Sequence, residues 1–78
     1  MKIYYDPEVD ILRILIKDEK IEESDDNNGI IIDYDEIGDV VGMEILDASK
    51  RMTNPRSIEY EIAPTIYKEG AHQYSTVV

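Results

Sequence analysis

The sequence predicts an α+β fold that is mostly β: a small antiparallel sheet of two hairpins, four to five strands in all, with one short helix after the last hairpin strand. Three observations predict it. Short runs rich in Ile, Val and Tyr alternate with a period of two, the spacing at which side chains share one face of a strand. Pro, Gly, Asn and Asp punctuate those runs where turns are needed. Only DASKRM, residues 47–52, opens like a helix.

Taken in order, residues 2–5 (KIYY) and 11–16 (ILRILI) are strands joined by a turn at DPEVD, whose Pro7 and flanking acids suit a reversal. In the second run Leu12, Ile14 and Ile16 share one face and Ile11, Arg13 and Leu15 the other. KDEKIEESDDNNG is a polar connector, with a short strand expected around residues 20–23 and a turn cluster, SDDNN, ending at Gly29. Ile30, Ile32 and Tyr34 then alternate with Ile31, Asp33 and Asp35, the turn EIGD follows, and VVGMEIL completes the second hairpin. Asp47 is expected to cap the short helix and Pro55 to end its segment. SIEYEIA (57–63) alternates Ile58, Tyr60 and Ile62 with Glu59 and Glu61 and reads as a further strand stopped by Pro64. This organisation gives one β-rich domain over residues 1–64 and a C-terminal tail, 65–78, for which docking, exchange with a partner and mobility are all open.

The core face comprises Ile3, Tyr5, Leu12, Ile14, Ile16, Ile30, Ile32, Tyr34, Val41, Met43 and Ile45. The opposite face still carries Tyr4, Ile11, Leu15, Ile31 and Val40, more apolar surface than a solvated face needs. The segment after Asp47, a second copy or a partner is expected to cover it.

Composition narrows the function. A chain of 78 residues holds one domain with a small core. The absence of cysteine removes disulfides, Cys-containing zinc sites and thiol nucleophiles, which fits a reducing cytoplasm. The start MKIYYDPEVD is unlike a signal peptide, and no apolar stretch reaches membrane-spanning length. Eighteen acids against eight bases, net charge -10, disfavour direct nucleic-acid binding and favour association with a basic protein.

Catalysis finds no support: His72 is the only histidine, the serines lack a nucleophile context, and no glycine-rich phosphate loop is present. No cofactor is called for. DYDEIGDVVGME places Asp33, Asp35, Asp39 and Glu44 at positions 1, 3, 7 and 12 of a calcium-loop pattern. Ile37 occupies a position that needs an oxygen ligand, and both flanks have strand rather than helix period, so a hairpin turn is the better reading.

The strings YYDPEVDILRI and IIIDYDEIGDVVGMEILDAS, with their spacing, resemble a widespread prokaryotic family, the domain of unknown function number 2283, over about residues 1–52. The likeness rests on Tyr5, Asp6, Asp10, Leu12, Ile14, Asp33, Asp35 and Gly38 and on the run Val41, Gly42, Glu44, Ile45, Leu46, Asp47 and Ala48. It implies a small antiparallel sheet with a short helix, no assigned catalytic residues, and a gene often beside that of a small toxin-like protein resembling ribosome-dependent RNases. An antitoxin-like role follows as the expectation. Ile37 departs from the family pattern, where an acid or amide is more usual, and the tail after Met52 is not covered.

The functional expectation is therefore a non-catalytic protein-binding module whose Ile58, Glu59, Tyr60, Glu61 and Ile62 add as a strand to a basic partner. The alternative is a homo-oligomer formed through Tyr4, Ile11, Leu15, Ile31 and Val40.

Overall fold

In the structure, a computed structural model, residues 1–65 are described. Five strands form one antiparallel sheet: β1 (Lys2–Asp6), β2 (Ile11–Leu15), β3 (Glu23–Asn27), β4 (Ile30–Tyr34) and β5 (Val40–Leu46), followed by the single-turn helix α1 (Ala48–Arg51). The spatial order is β1-β2-β5-β4-β3, so the chain crosses from β2 to the far edge and returns to the middle through two hairpins.

Each reversal has a local cause. After β1, the Asp6 carboxylate accepts the Glu8 N–H at 3.0 Å, and Asp10 turns the chain back with φ 59. Between β3 and β4, Asn28 (φ 56) and Gly29 (φ 84) supply the two positive-φ positions of a tight hairpin turn whose twist matches its strands. Between β4 and β5, Asp35 Oδ1 accepts the N–H groups of Ile37 (3.1 Å) and Asp39 (2.9 Å), and Gly38 takes φ 94. The crossover, residues 16–22, is held at the sheet's end. Its Ile16 and Lys17 N–H groups donate to the Val41 carbonyl at 2.7 and 3.2 Å, and Glu22 N–H donates to the Tyr34 carbonyl at 2.7 Å.

The register makes the two faces explicit. Ile3, Ile14, Met43 and Ile32 stand abreast, and Tyr5, Leu12, Ile45 and Ile30 form the next row on the same face. This is the face the alternation predicted as core. The intervening rows place Tyr4, Arg13, Glu44 and Ile31, and Lys2, Leu15, Gly42 and Asp33, on the other side. A bulge interrupts β5: Asp33 faces Gly42 and Tyr34 faces Val40, so Val41 is the extra residue, and it is completely buried.

Four local expectations are corrected. Of SDDNN only Asn28 lies in a turn: Ser24–Asn27 belong to the edge strand Glu23–Asn27, because the Asn28–Gly29 reversal fixes its register against β4 and an edge strand tolerates polar side chains on both faces. SIEYEIA joins no strand; nothing among the described residues pairs with it. Asp47 makes no side-chain cap and sits at φ 53; Asp10 performs that service from the β1–β2 turn. The segment after Asp47, expected over the opposite face, instead brings the Arg56 guanidinium to 6.0 Å from the ring centroid of Tyr5, a residue of the first face.

The core is thin. Leu12, Val41 and Ala48 are its buried hydrophobic residues among those described, while Ile3 and Ile16, on the predicted core face, remain 41% and 45% exposed. A single-layer sheet leaves both faces half open, and a stable domain buries one layer against another.

Candidate interaction surface

Three polar clusters stand out, and each can be built from its residues upward. The first joins both ends of the fold. The Tyr5 hydroxyl donates to Asp10 Oδ1 at 2.7 Å, and the same carboxylate accepts the Ser49 N–H at 2.9 Å and the Ser49 hydroxyl at 2.7 Å. The Ala48 N–H donates to the Asp10 carbonyl at 2.9 Å. Asp10 thus supplies acceptors for the free N–H groups at the start of α1, which a one-turn helix cannot satisfy internally. The Ser49 and Tyr5 hydroxyls hold the Asp10 carboxyl below its ordinary range, and the same bond to Asp10 raises the Tyr5 phenol. Ser49 is committed here as a donor to a carboxylate, with no histidine beside it among the described residues.

The second cluster pins the crossover to the β4–β5 turn. Lys17 Nζ lies 3.1 Å from Asp35 and 3.3 Å from Asp39. Contact with Asp35 raises the Lys17 ammonium's pKa. Burial works against ionisation of Asp35, but Lys17 and the Asp39 and Ile37 N–H groups outweigh it and hold its carboxyl low. An open polar groove of about 410 Å³ runs between this turn and the crossover, lined by Lys17, Glu19, Lys20, Glu22, Asp35 and Glu36, among others.

The third is Asp33, 2% exposed in β4, whose Oδ1 accepts the Ser24 hydroxyl at 2.6 Å while Oδ2 has no protein partner. It lies opposite Gly42, where no side chain competes for the space. On the same face Arg13 stands between Tyr4 and Glu44, its Nε buried and without a protein acceptor.

The calcium-pattern residues are dispersed among these roles. Asp33 binds Ser24, Asp35 holds the turn and Lys17, Asp39 is exposed beside Lys17, and Glu44 stands opposite Arg13 in β5. Among the described residues no group of three or more His, Asp or Glu side chains is placed to hold a metal ion. His72 lies outside the described residues.

What the fold leaves available is apolar and extended. Tyr4, Ile11, Leu15 and Ile31 do share a face, as alternation required, but Arg13, Glu44 and Asp33 are interleaved with them. Val40 falls at the bulge opposite Tyr34. Beyond Pro55, which is buried, Ile58, Tyr60 and Ile62 are 49%, 76% and 78% exposed and separated by the exposed Glu59 and Glu61. Their strand period is present without a sheet to join. The sequence does not disclose the Tyr5–Asp10–Ser49 latch, because Asp10 and Ser49 are 39 positions apart and no local pattern links them.

No helix among the described residues is long and apolar enough to cross a membrane. No solved structure matches the chain. An uncharacterized protein of Methanocaldococcus jannaschii is 50% identical over 50 residues, which are 64% of this chain and 43% of that protein, so the chain matches less than half the length of this relative. The family profile described as a protein of unknown function, DUF2283, matches residues 2–49, a span that holds the whole sheet and the start of α1. The chain therefore belongs to the DUF2283 family.

Proposed function

We propose that this protein is a non-catalytic, cytoplasmic protein-binding module that donates residues 58–62 as a strand to a basic partner, an antitoxin-like role toward a small RNase-type protein. The carrying observation is the exposed, unpaired alternation of Ile58, Tyr60 and Ile62 with Glu59 and Glu61. Strand addition draws affinity from backbone hydrogen bonds and selectivity from alternate side chains. Three apolar groups on one side and two carboxylates on the other meet both needs, and the net charge of -10 steers a basic partner toward them. A partner that owes its positive charge to an RNA site would be masked by the same contact.

The test compares tagged wild type with the Glu59→Lys/Glu61→Lys variant in capture from native lysate at low and high salt, each captured protein being identified. The expected result is a small basic protein that wild type retains at low salt, releases at high salt, and that the variant does not retain. Equal capture by both proteins refutes the reading. Circular dichroism of the variant should match wild type, because both glutamates are exposed and lie outside the sheet.

A further inference from the structure

The same five residues have a matching acceptor within the fold itself. β1 is an outer strand of the sheet, so one row of its N–H and C=O groups is unpaired among the described residues. The other outer strand, β3, reads ESDDN and would repel Glu59 and Glu61, whereas β1 reads KIYYD and carries Lys2. β1 and the 58–62 segment are each five residues long.

We propose that residues 58–62 of a second copy of this chain add antiparallel to the free edge of β1, with Tyr60 opposite Ile3, reciprocally in a two-fold dimer. That register sets Glu61 opposite Lys2, Glu59 opposite Tyr4 and Ile58 opposite Tyr5. Ile58 and Tyr60 then extend the rows of Tyr5, Leu12, Ile45 and Ile30, and of Ile3, Ile14, Met43 and Ile32, on the more apolar face. Glu59 and Glu61 fall on the face that carries Lys2 and Arg13, whose buried Nε has no acceptor. A slip by one residue reverses both assignments and puts Tyr60 among the charges. A slip by two keeps the faces but sets Glu59 opposite Asp6 in one direction and carries Tyr60 and Glu61 past the end of β1 in the other, so charge and strand length favour the stated register.

The donor is a second copy rather than the same chain. The chain leaves the fold beside Tyr5, where Arg56 stands over the ring, yet its own segment leaves the neighbouring edge vacant and stays exposed. Reciprocal exchange closes under two-fold symmetry and pairs the β1 edge of both copies, so assembly stops at two. This inference rests on the reading of residues 58–62 as a strand donor, and it makes the dimer the store from which a basic partner withdraws that strand.

The chain has no cysteine, so paired cysteines report the contact without background. Oxidised at about 10 μM, within the range where a micromolar contact forms, the Ile3→Cys/Tyr60→Cys variant should give covalent dimers joined by two disulfides, since directly opposed positions bring Cβ atoms into bonding range. The out-of-register Ile3→Cys/Glu59→Cys variant should link poorly. Disulfides within one chain, located by mass spectrometry, would show closure on its own edge and overturn the proposal, as would no linkage. As a second measurement on uncrosslinked protein, Lys2→Glu or Glu61→Lys alone should weaken dimerisation in sedimentation by about fivefold, and the double exchange should restore it. Failure of the double exchange to restore what the singles lose overturns the register. Missing linkage alongside charge-dependent capture of a basic protein removes self-pairing and leaves the partner reading standing; linkage without such capture does the reverse.

Discussion

Gly42→Ala puts the packing of the central strand to a test whose sign is decisive. Gly42 is buried in β5, faces Leu15 on one neighbour and Asp33 on the other, and follows the bulged Val41. On propensity alone alanine should help, because glycine inside a strand costs roughly 0.5–1 kcal/mol relative to alanine. The packing says otherwise. A methyl group at Gly42 would lie 2.6 Å from the Ile14 carbonyl oxygen and 3.5 Å from Leu15 Cα. The first distance is far inside the contact optimum of about 3.5 Å, and the atom met is backbone, which cannot rotate away. Overpacking of this kind costs about 1–3 kcal/mol, of which the entropic gain offsets roughly 0.4–1 kcal/mol, leaving a net loss of about 1–2 kcal/mol. For a domain of this size each kcal/mol moves the midpoint by about 4–8 °C, so Tm should fall by about 5–15 °C. Thermal and urea denaturation followed by circular dichroism measure it. An unchanged or raised Tm would refute the close approach of β2 to β5 and with it the account of the bulge.

Three further outcomes follow from the polar clusters. Asp10 has a depressed folded-state value, so its contribution is fully present above the unfolded carboxylate value of about 3.9 and is lost as pH falls through the lower folded value; Asp10→Asn should be less stable at neutral pH and lose that acid-side slope, and parallel pH–stability curves for both proteins would exclude the latch. Lys17 has a raised value, so its contribution is present below about 10.4 and is lost as pH rises through the higher folded value; Lys17→Met should flatten the alkaline limb and the salt dependence of urea unfolding, and an unaltered salt response would show that the crossover is not held electrostatically. Millimolar calcium should leave the melting temperature of wild type unchanged, because Asp33 and Asp35 are already committed to Ser24, Lys17 and backbone N–H groups; a rise that Asp35→Asn abolishes would reverse that assignment.

Alternation alone made the two rows of the apolar face readable, from Ile3 and Tyr5 across to Ile30 and Ile32, because a half-buried strand writes its exposure into every second residue. β3 was hidden for the opposite reason: as an edge strand it needs only backbone partners, and ESDDN carries no apolar period to announce them. The stronger signal was the Asn28–Gly29 pair, which specifies a two-residue hairpin and hence a strand on each side. SIEYEIA shows the converse limit. It has the period of a strand, but a strand exists only where an edge receives it, and that edge is not recorded in the segment itself. The alternation of the proposed binding segment was legible and its exposure was not, since exposure depends on what the rest of the fold leaves uncovered.

The residues that carry the family pattern are occupied in holding the sheet and its turns together. Tyr5 and Asp10 tether α1, Asp6 and Asp35 close turns, and Asp33 accepts Ser24 within the sheet. Gly42 permits strand contact, Val41 and Ala48 fill the core, and Asp47 occupies a left-handed position leading into α1. Each of these groups has a structural use that consumes its hydrogen-bonding capacity or its volume. The exceptions are Asp33 Oδ2 and Arg13 Nε, and both are buried on the face that Glu59 and Glu61 would join. The matched region, residues 2–49, spends its polar groups on holding one thin sheet, and the proposed binding segment, residues 58–62, lies outside it. If Tyr60→Asp abolishes both dimerisation and partner capture while its Tm, compared with wild type at a concentration where both are monomeric, stays within about 2 °C, as an exposed position allows, sheet and binding segment are separable. A large fall in Tm would mean instead that the segment belongs to the sheet's own stability.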